Sequence, residues 1–270
     1  MCCHKQYETV PPVCIPIQCG SELNPPIKDT VQDNMGENIS AKNREYCELT
    51  AHYYVWKNVS ADHYGFCHYR RFFCVDDNVK NPYLALKRPS YKLFPSEEQW
   101  QKLTSEYEVI VPRSEDMGVS VTEHYCTAKF HYPEDLRLFI QILKERSPML
   151  AMTAEKYLSQ NRQYFCNMFV MSRKYFFEYC EYLFAILEKF DKRKTLHGDF
   201  QSDRTNGYLG EIFTGIYISY LREKGVKIKE FPRADVECTL KKRILYMLLP
   251  PESRRRFLAK KIIKRKNENV

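Results

Sequence analysis

The chain has 270 residues, of which 44% are hydrophobic and 14% are aromatic, and it carries a formal net charge of +8 at pH 7. A chain of this length and composition can bury a substantial core, so an intrinsically disordered protein is excluded. No apolar run approaches the roughly 18 residues of a membrane-spanning helix and no signal peptide is recognised, so a cytoplasmic protein is expected.

The first half of the chain alternates between predicted strands and helices. Apolar residues from Tyr46 to Trp56 recur at steps of three and four, which predicts a helix over residues 43–58 with one buried face. Ser96 and Gln99 have the spacing of a capping box at the start of another helix. The other elements predicted here are extended segments or strands over residues 13–18, 64–67 and 108–111, a turn-rich segment over 27–38, and a helix over 133–144.

The second half continues the alternation. Its predicted elements are helices over residues 154–160, 173–190 and 208–224, strands over 166–171 and 226–231, and a polar loop over 191–205. This order predicts an α/β fold with a mostly parallel central sheet flanked by helices, and ligands of such sheets lie beyond the carboxyl ends of the strands. His4, Asp33, His68 and Asn167 fall near such ends or in the loops that follow them.

The segment DHYGFCHYRRFF, from Asp62 to Phe73, is the strongest functional signal in the sequence. A short apolar strand ends there in Arg70 and Arg71, and the planar guanidinium group matches the oxygens of phosphate and stays charged at any working pH. The segment therefore points to a phosphorylated substrate such as a nucleotide sugar. In the alternative interpretation, one arginine faces solvent and the other pairs with a carboxylate.

Several further blocks carry a family resemblance. DNMGENISAKN begins at Asp33, CELTAHYYVWKN begins at Cys47, and His4-Lys5, Pro16-Ile17 and Asn167-Met168-Phe169 occur in the same order. Over roughly residues 2–237 the chain resembles the bacterial capsular and exopolysaccharide glycosyltransferases with a HYRR motif, which were formerly catalogued as a domain of unknown function. It departs from their pattern in having only three residues before His4. Either the first strand is truncated at its start, or the start of the chain is set too late.

The resemblance implies a GT-A-like nucleotide-binding fold and a specific reaction. The enzyme would transfer a hexose, with galactose or galactofuranose as candidates, from a UDP-sugar donor to a polyprenyl-linked glycan acceptor in surface polysaccharide synthesis. A fold alone does not establish an activity, so the residues need arguments of their own. A catalytically inactive scaffold of a polysaccharide assembly complex is the alternative.

The expected donor site combines strand-end residues with a polar loop. Short polar side chains in a loop that leads into a helix can contact uracil or ribose, while a helix amino terminus favours phosphate. They can equally organise or cap the helix. Glu48 lies within the predicted helix and is expected to tether Arg70 or Arg71, because a carboxylate there is costly unless paired. The donor-binding candidates are His4, Asp33, Asn34, Asn38, Ser40, His68, Arg70, Arg71 and Asn167.

Glu211 is the candidate catalytic base. It is expected to open a helix after a long polar loop, and an inverting transfer needs one general base near the acceptor oxygen. In the alternative interpretation, Glu211 only complements the helix dipole. Asp199 is the second candidate for the base.

The sequence is compatible with charge stabilisation by cationic side chains and with charge stabilisation by a divalent metal ion. Many GT-A enzymes hold Mn or Mg with an Asp-x-Asp motif at a strand end, but the corresponding strand here ends in the HYRR segment. We therefore expect cationic side chains to supply some or all of the charge stabilisation, with a divalent cation as the alternative. Asp76-Asp77 is an acidic pair that fits a solvated turn better. Eleven scattered cysteines without a CxxC pair predict reduced, buried thiols and no zinc site.

The positive charge is concentrated at the end of the chain. Residues 240–270 contain eleven Lys or Arg and two Glu, a net charge of +9, which leaves about −1 for residues 1–239. We therefore divide the chain into a glycosyltransferase domain over 1–239 and a basic tail over 240–270. The tail interleaves apolar and basic residues around Pro250-Pro251, as in two short amphipathic helices on an anionic membrane surface. A cap packed on the domain is the alternative, and no nucleic-acid partner is expected because no recognised binding motif occurs.

Overall fold

The computed structural model describes residues 1–7, 10–11, 13–76, 78–88, 91–195 and 204–259. Short strands and longer helices alternate in these ranges. The strands are β1 (Cys2–Cys3), β2 (Ile17–Gln18), β3 (Val31–Gln32), β4 (His63–Phe66), β5 (Arg71–Phe73), β6 (Tyr83–Ala85), β7 (Val109–Pro112), β8 (Glu115–Asp116), β9 (Arg162–Gln163), β10 (Phe169–Ser172), β11 (Ile228–Phe231) and β12 (Arg233–Asp235). The helices are α1 (Asn43–Tyr46), α2 (Leu49–Asn58), α3 (Glu97–Glu106), α4 (Val121–Thr127), α5 (Pro133–Arg146), α6 (Pro148–Ser159), α7 (Arg173–Arg193), α8 (Thr205–Glu223) and α9 (Leu240–Leu248).

The central sheet has four strands in the order β11, β7, β10, β4. The α/β class is confirmed, but strand directions in this sheet are mixed, because β10 runs antiparallel to both neighbours and only β11 and β7 are parallel. Phe169, the first residue of β10, pairs with Phe66, the last residue of β4. The turn before β10 therefore lies beside the HYRR segment that follows β4.

A second sheet contains β1, β2 and β3, all parallel. Although β1 has two residues, it is bonded on both sides: Ile17 N donates to Met1 O at 2.9 Å, and Cys2 N donates to Cys67 O at 2.7 Å. The second contact brings the carboxyl ends of β1 and β4 together.

Strand β12 lies between β5 and β6 in a third sheet. Its residue Asp235 pairs with Arg71 in the antiparallel register of β12 and β5. This sheet therefore continues directly from the HYRR segment.

Helices α2 and α5–α8 enclose the larger hydrophobic core. Aromatic residues of α7 form a buried face, in which Phe176, Tyr179 and Phe190 are fully buried. The capping box of Ser96 and Gln99 at the start of α3 is also confirmed.

The helix predicted over residues 43–58 is interrupted. It forms α1 and α2, with a break at Cys47, where φ is +51°. Asn43 Nδ2 and Thr50 Oγ1 donate to Cys47 O at 2.7 and 3.1 Å, so side chains satisfy the carbonyl group at the break. The periodicity hid this break because apolar spacing continues across it.

The described part of the tail packs on the domain. Lys242 Nζ lies 2.9 Å from Asp235 Oδ2, and Glu252 Oε1 lies 2.9 Å from an Arg162 guanidinium nitrogen. Helix α9 nevertheless exposes apolar side chains, including Leu240 at 68% and Met247 at 69%. Among the described helices, none is long and apolar enough to span a bilayer.

Candidate active site

A cavity of about 650 Å³ opens where the carboxyl ends of β1 and β4 meet the start of α8. This volume is in the range of small-molecule sites. Its lining combines cations, two carboxylates and several polar groups, and therefore suits an anionic, polar ligand. The lining residues are Cys2, Cys3, His4, Cys19, Leu23, Asn24, Asn43, Arg44, Cys47, Glu48, His68, Tyr69, Arg70, Arg71, Arg204, Gly207, Tyr208 and Glu211.

Helix α8 contributes one continuous face to the cavity. Arg204, Gly207, Tyr208 and Glu211 follow each other at steps of three, one and three residues, so they lie on the same side of the helix. On the opposite side of the cavity, His4 follows β1 and the HYRR segment follows β4. Elements distant in sequence thus bring these groups together.

Arg70 and Arg71 both line the cavity. Within the described residues, neither guanidinium group has a hydrogen bond or an ion pair within 4 Å. The pairing of one arginine with a carboxylate is therefore not seen there. The Arg70 Cζ atom lies 5.6 Å from the centroid of the Tyr69 ring, and the Arg71 side chain is half-buried. Arg44 and Arg204 also line the cavity, so four arginine residues surround it.

The helix break at Cys47 turns Glu48 toward the cavity. The chain at this break packs closely against α8, at two glycines of that helix. A Cβ at Gly207 would lie 3.0 Å from Cys47 Sγ, and one at Gly210 would lie 2.7 Å from Leu49 Cδ1. The expected tether between Glu48 and the arginines is wrong. Glu48 Oε1 instead accepts a hydrogen bond of 2.8 Å from Asn167 Nδ2, because the break places it beside the turn that precedes β10.

That turn consists of Cys166 and Asn167, with φ values of +79° and +46°. Two consecutive residues other than glycine with positive φ are uncommon, and each costs about 1 kcal/mol or more. Asn167 is buried and lies behind the cavity lining. The structure places this predicted donor-binding residue against Glu48.

Glu211 lies in the second turn of α8 rather than at its start, because the helix begins at Thr205. A helix dipole acts mainly within the first turn, so it does not explain this carboxylate. Glu211 Oε1 accepts a hydrogen bond of 2.7 Å from Cys166 N. Burial, and then the charge of Glu48, raise the pKa of Glu211 to about 7, against the opposing effects of the Cys166 N–H, Arg71 and Arg233. A carboxylate with this pKa can act as a base near neutral pH.

The two histidines of the site, His68 and His4, both have lowered pKa values and are therefore neutral at pH 7. Burial lowers the pKa of His68, and burial together with Arg204 and Arg70 lowers that of His4. His68 Nε2 lies 2.6 Å from Cys166 O; since a carbonyl only accepts, Nε2 carries the proton. His4 packs edge-on against the Tyr69 ring at 5.2 Å between ring centroids.

The polar loop of the predicted donor site lies outside the cavity lining. The buried Asp33 carboxylate accepts from the N–H groups of Gly20 and Ser21, both at 2.9 Å, and from Ser40 Oγ. Asn34 Nδ2 lies 3.3 Å from Glu22 Oε2, and Asn38 Oδ1 accepts from Ser40 N at 3.1 Å. These residues hold the loop that carries Leu23 and Asn24 to the cavity.

No group of three or more His, Cys, Asp or Glu side chains that could hold a metal ion is found among the described residues. Asp76 Oδ1 accepts from Asn78 N at 2.9 Å, the contact of a polar turn. Asp77 and the second base candidate, Asp199, lie outside the described residues.

Sequence reasoning missed several lining residues. Tyr208 could have been found from helical spacing, since it lies three residues before Glu211. Arg204 could not, because it falls in the polar loop predicted over residues 191–205. Asn24, Asn43 and Arg44 carried no such signal, because a loop and the interrupted helix bring them to the cavity.

Fold and cavity together define a GT-A-like α/β protein with an arginine-rich site at its strand ends. The profile of a family described as a domain of unknown function (DUF4422) matches residues 1–223. The protein therefore belongs to this family.

One solved structure has a similar fold, described as the apo form of WbbM, a bifunctional glycosyltransferase. The TM-score is 0.81, with 28% sequence identity over 87% of this chain. The chain spans 44% of the length of that protein. No curated protein sequence matches the chain significantly.

Proposed function

We propose that the protein is a glycosyltransferase that moves a hexose from a UDP-sugar donor to a polyprenyl-linked glycan acceptor. The proposal is supported above all by one cavity that four arginine residues and Glu211 line together. The similar fold of WbbM, itself described as a glycosyltransferase, supports the reaction class. The uracil base, a galactose or galactofuranose donor, the acceptor and the surface-polysaccharide pathway rest on the family resemblance.

In this reaction the acceptor oxygen forms a bond to the anomeric carbon of the sugar while the bond from that carbon to the diphosphate breaks. Arg70 and Arg71 would stabilise the charge that develops on the departing diphosphate. Glu211 would take the proton of the acceptor hydroxyl group. A single displacement of this kind inverts the anomeric configuration.

The acceptor would be anchored in a membrane, which gives the tail a role. Helix α9 exposes Leu240, Met247 and Leu248 and carries Lys241 on its surface. Apolar and basic side chains on one helix favour the surface of an anionic bilayer. We therefore place the enzyme at the inner face of the cell membrane, attached through this helix.

Release of nucleoside diphosphate from a panel of nucleotide sugars, with and without a lipid-linked glycan acceptor, tests the proposal. We expect UDP release from a UDP-hexose that increases when the acceptor is added. Parallel reactions with EDTA, Mn²⁺ or Mg²⁺ measure the dependence on a divalent cation. Binding of UDP without turnover of any sugar would instead favour an inactive scaffold.

A further inference from the structure

The Cys166–Asn167 turn contacts three ionisable groups that come from different parts of the chain. Cys166 N donates to Glu211 Oε1 at 2.7 Å, and Cys166 O lies 2.6 Å from His68 Nε2. Asn167 Nδ2 donates to Glu48 Oε1 at 2.8 Å. One dipeptide thus fixes the positions of both carboxylates and of the histidine in the cavity.

The orientation of the Asn167 amide follows from its own partners. Oδ1 lies 3.1 Å from Thr214 Oγ1, a hydroxyl that can donate, and Nδ2 also lies 3.3 Å from Gly207 O, which can only accept. The amide must therefore present its N–H groups to Glu48. Tyr179 Oη lies 2.9 Å from Thr214 Oγ1 and extends the network into the core.

We propose that Glu48 is a positioning residue that acts through Glu211: Asn167 holds the Glu48 carboxylate as a charged neighbour of Glu211, and this neighbour makes Glu211 a stronger proton acceptor. This inference rests on the proposed function for the identity of the reaction. Its structural basis is separate, because Asn167 Nδ2 donates to Glu48 Oε1 at 2.8 Å and Cys166 N, in the same turn, donates to Glu211 Oε1 at 2.7 Å. Only 14% of the Glu48 side chain is exposed, so water screens its charge poorly.

Several other groups also influence Glu211. Burial is the largest effect on its pKa, and the charge of Glu48 comes next in the same direction. Arg71 from β5 and Arg233 from β12 oppose both. Other titratable groups among the described residues are also coupled electrostatically to Glu211: Cys47, Tyr157, Cys166, Tyr179 and Tyr208. Removing the charge of Glu48 alone should therefore make Glu211 easier to ionise.

Glu48→Gln tests this inference because it keeps the shape and the acceptor oxygen but removes the charge. Glu45→Gln is the matched control on the preceding helix, where Glu45 pairs with Lys194 and does not line the cavity. The titration of Glu211 is followed by NMR in full-length protein labelled with ¹³C at the glutamate carboxyl groups. Its signal is assigned by its absence in Glu211→Gln.

We expect Glu48→Gln to lower the titration midpoint of Glu211 by about one pH unit, an ordinary effect of one nearby like charge. The midpoint should stay unchanged in Glu45→Gln. In steady-state transfer, the acidic limb of kcat/KM against pH should move in the same direction. Asn167→Gly, which retains a positive φ, should give a midpoint between those of wild type and Glu48→Gln.

An unchanged Glu211 midpoint in Glu48→Gln would overturn the inference, as would a loss of turnover by the same factor at every pH. The NMR titration needs no substrate. If no nucleotide sugar is turned over but the midpoint shifts, the proposed reaction is wrong and the positioning role of Glu48 stands.

Discussion

The Glu211 carboxylate accepts a hydrogen bond of 2.7 Å from the backbone N–H of Cys166. This contact joins helix α8 to the turn before β10 and fixes one carboxylate oxygen. The other oxygen can face a substrate in the cavity that Glu211 lines. The backbone N–H of Cys166 thus orients the proposed base. This contact does not depend on the Cys166 side chain.

Glu211→Gln should reduce transfer by roughly a hundredfold or more while largely retaining donor affinity, because the amide keeps the shape of the carboxylate but cannot accept the proton. Initial rates and donor Kd values measure the two effects. Glu178→Gln is the control, since Glu178 lies half-buried on α7 outside the cavity. Near-normal transfer by Glu211→Gln would move the role of base to Asp199 or to no side chain.

The pH dependence of stability gives a separate test of Glu211. Its pKa rises from 4.5 to about 7 on folding. A carboxyl group with a raised folded-state pKa adds stability below pH 4.5, and this contribution is lost as pH rises through 7. Glu211→Gln lacks that loss, so its free energy of unfolding should exceed that of wild type by up to about 3 kcal/mol at pH 8 and by little at pH 4.5. Denaturant unfolding at both pH values measures the difference; equal differences would contradict the raised pKa.

Close packing at the helix break can be tested at Gly210. An added Cβ would lie 2.7 Å from Leu49 Cδ1, and Leu49 is fully buried. Overpacking costs about 1 to 3 kcal/mol, against about 1 kcal/mol gained in helix propensity, so Gly210→Ala should destabilise the fold by up to about 2 kcal/mol. The double variant Gly210→Ala/Leu49→Ala should lose less unfolding free energy than the sum of the losses in the two single variants. Additive losses of unfolding free energy would show that the added Cβ does not clash with Leu49.

The sequence predicted what depends on local pattern. The spacing of α7 and the Ser96 cap of α3 identified their helices, and the HYRR segment identified two arginines of the cavity. The break at Cys47 and the turn at Cys166 were not predictable, because both residues adopt positive φ without glycine. Tertiary contacts stabilise them there. The partner of Glu48 was missed for the same reason.

The proposed binding of α9 to a membrane can be tested without removing the tail. Removal is avoided because contacts of Lys242 and Glu252 hold the tail to the domain. Replacing Leu240, Met247 and Leu248 with Gln should strongly reduce sedimentation with anionic liposomes, because the exposed apolar side chains would no longer enter the bilayer. UDP binding should be retained. Met149→Gln/Met152→Gln is the control, since these exposed methionines lie on α6. Unchanged sedimentation would leave α9 as a cap on the domain.

The affinity difference between UDP and uridine, measured by calorimetry in wild type, Arg70→Ala and Arg71→Ala, tests whether the arginine pair binds a diphosphate. We expect wild type to bind UDP more tightly than uridine. Each substitution should weaken UDP binding by about 1 to 3 kcal/mol, through loss of a charge-assisted phosphate contact, and leave uridine binding nearly unchanged. Arg173→Ala, at an exposed position on α7, should behave as wild type. Equal affinities for UDP and uridine, or unchanged UDP affinity in both cavity variants, would contradict the assignment of the arginine pair to a nucleotide diphosphate.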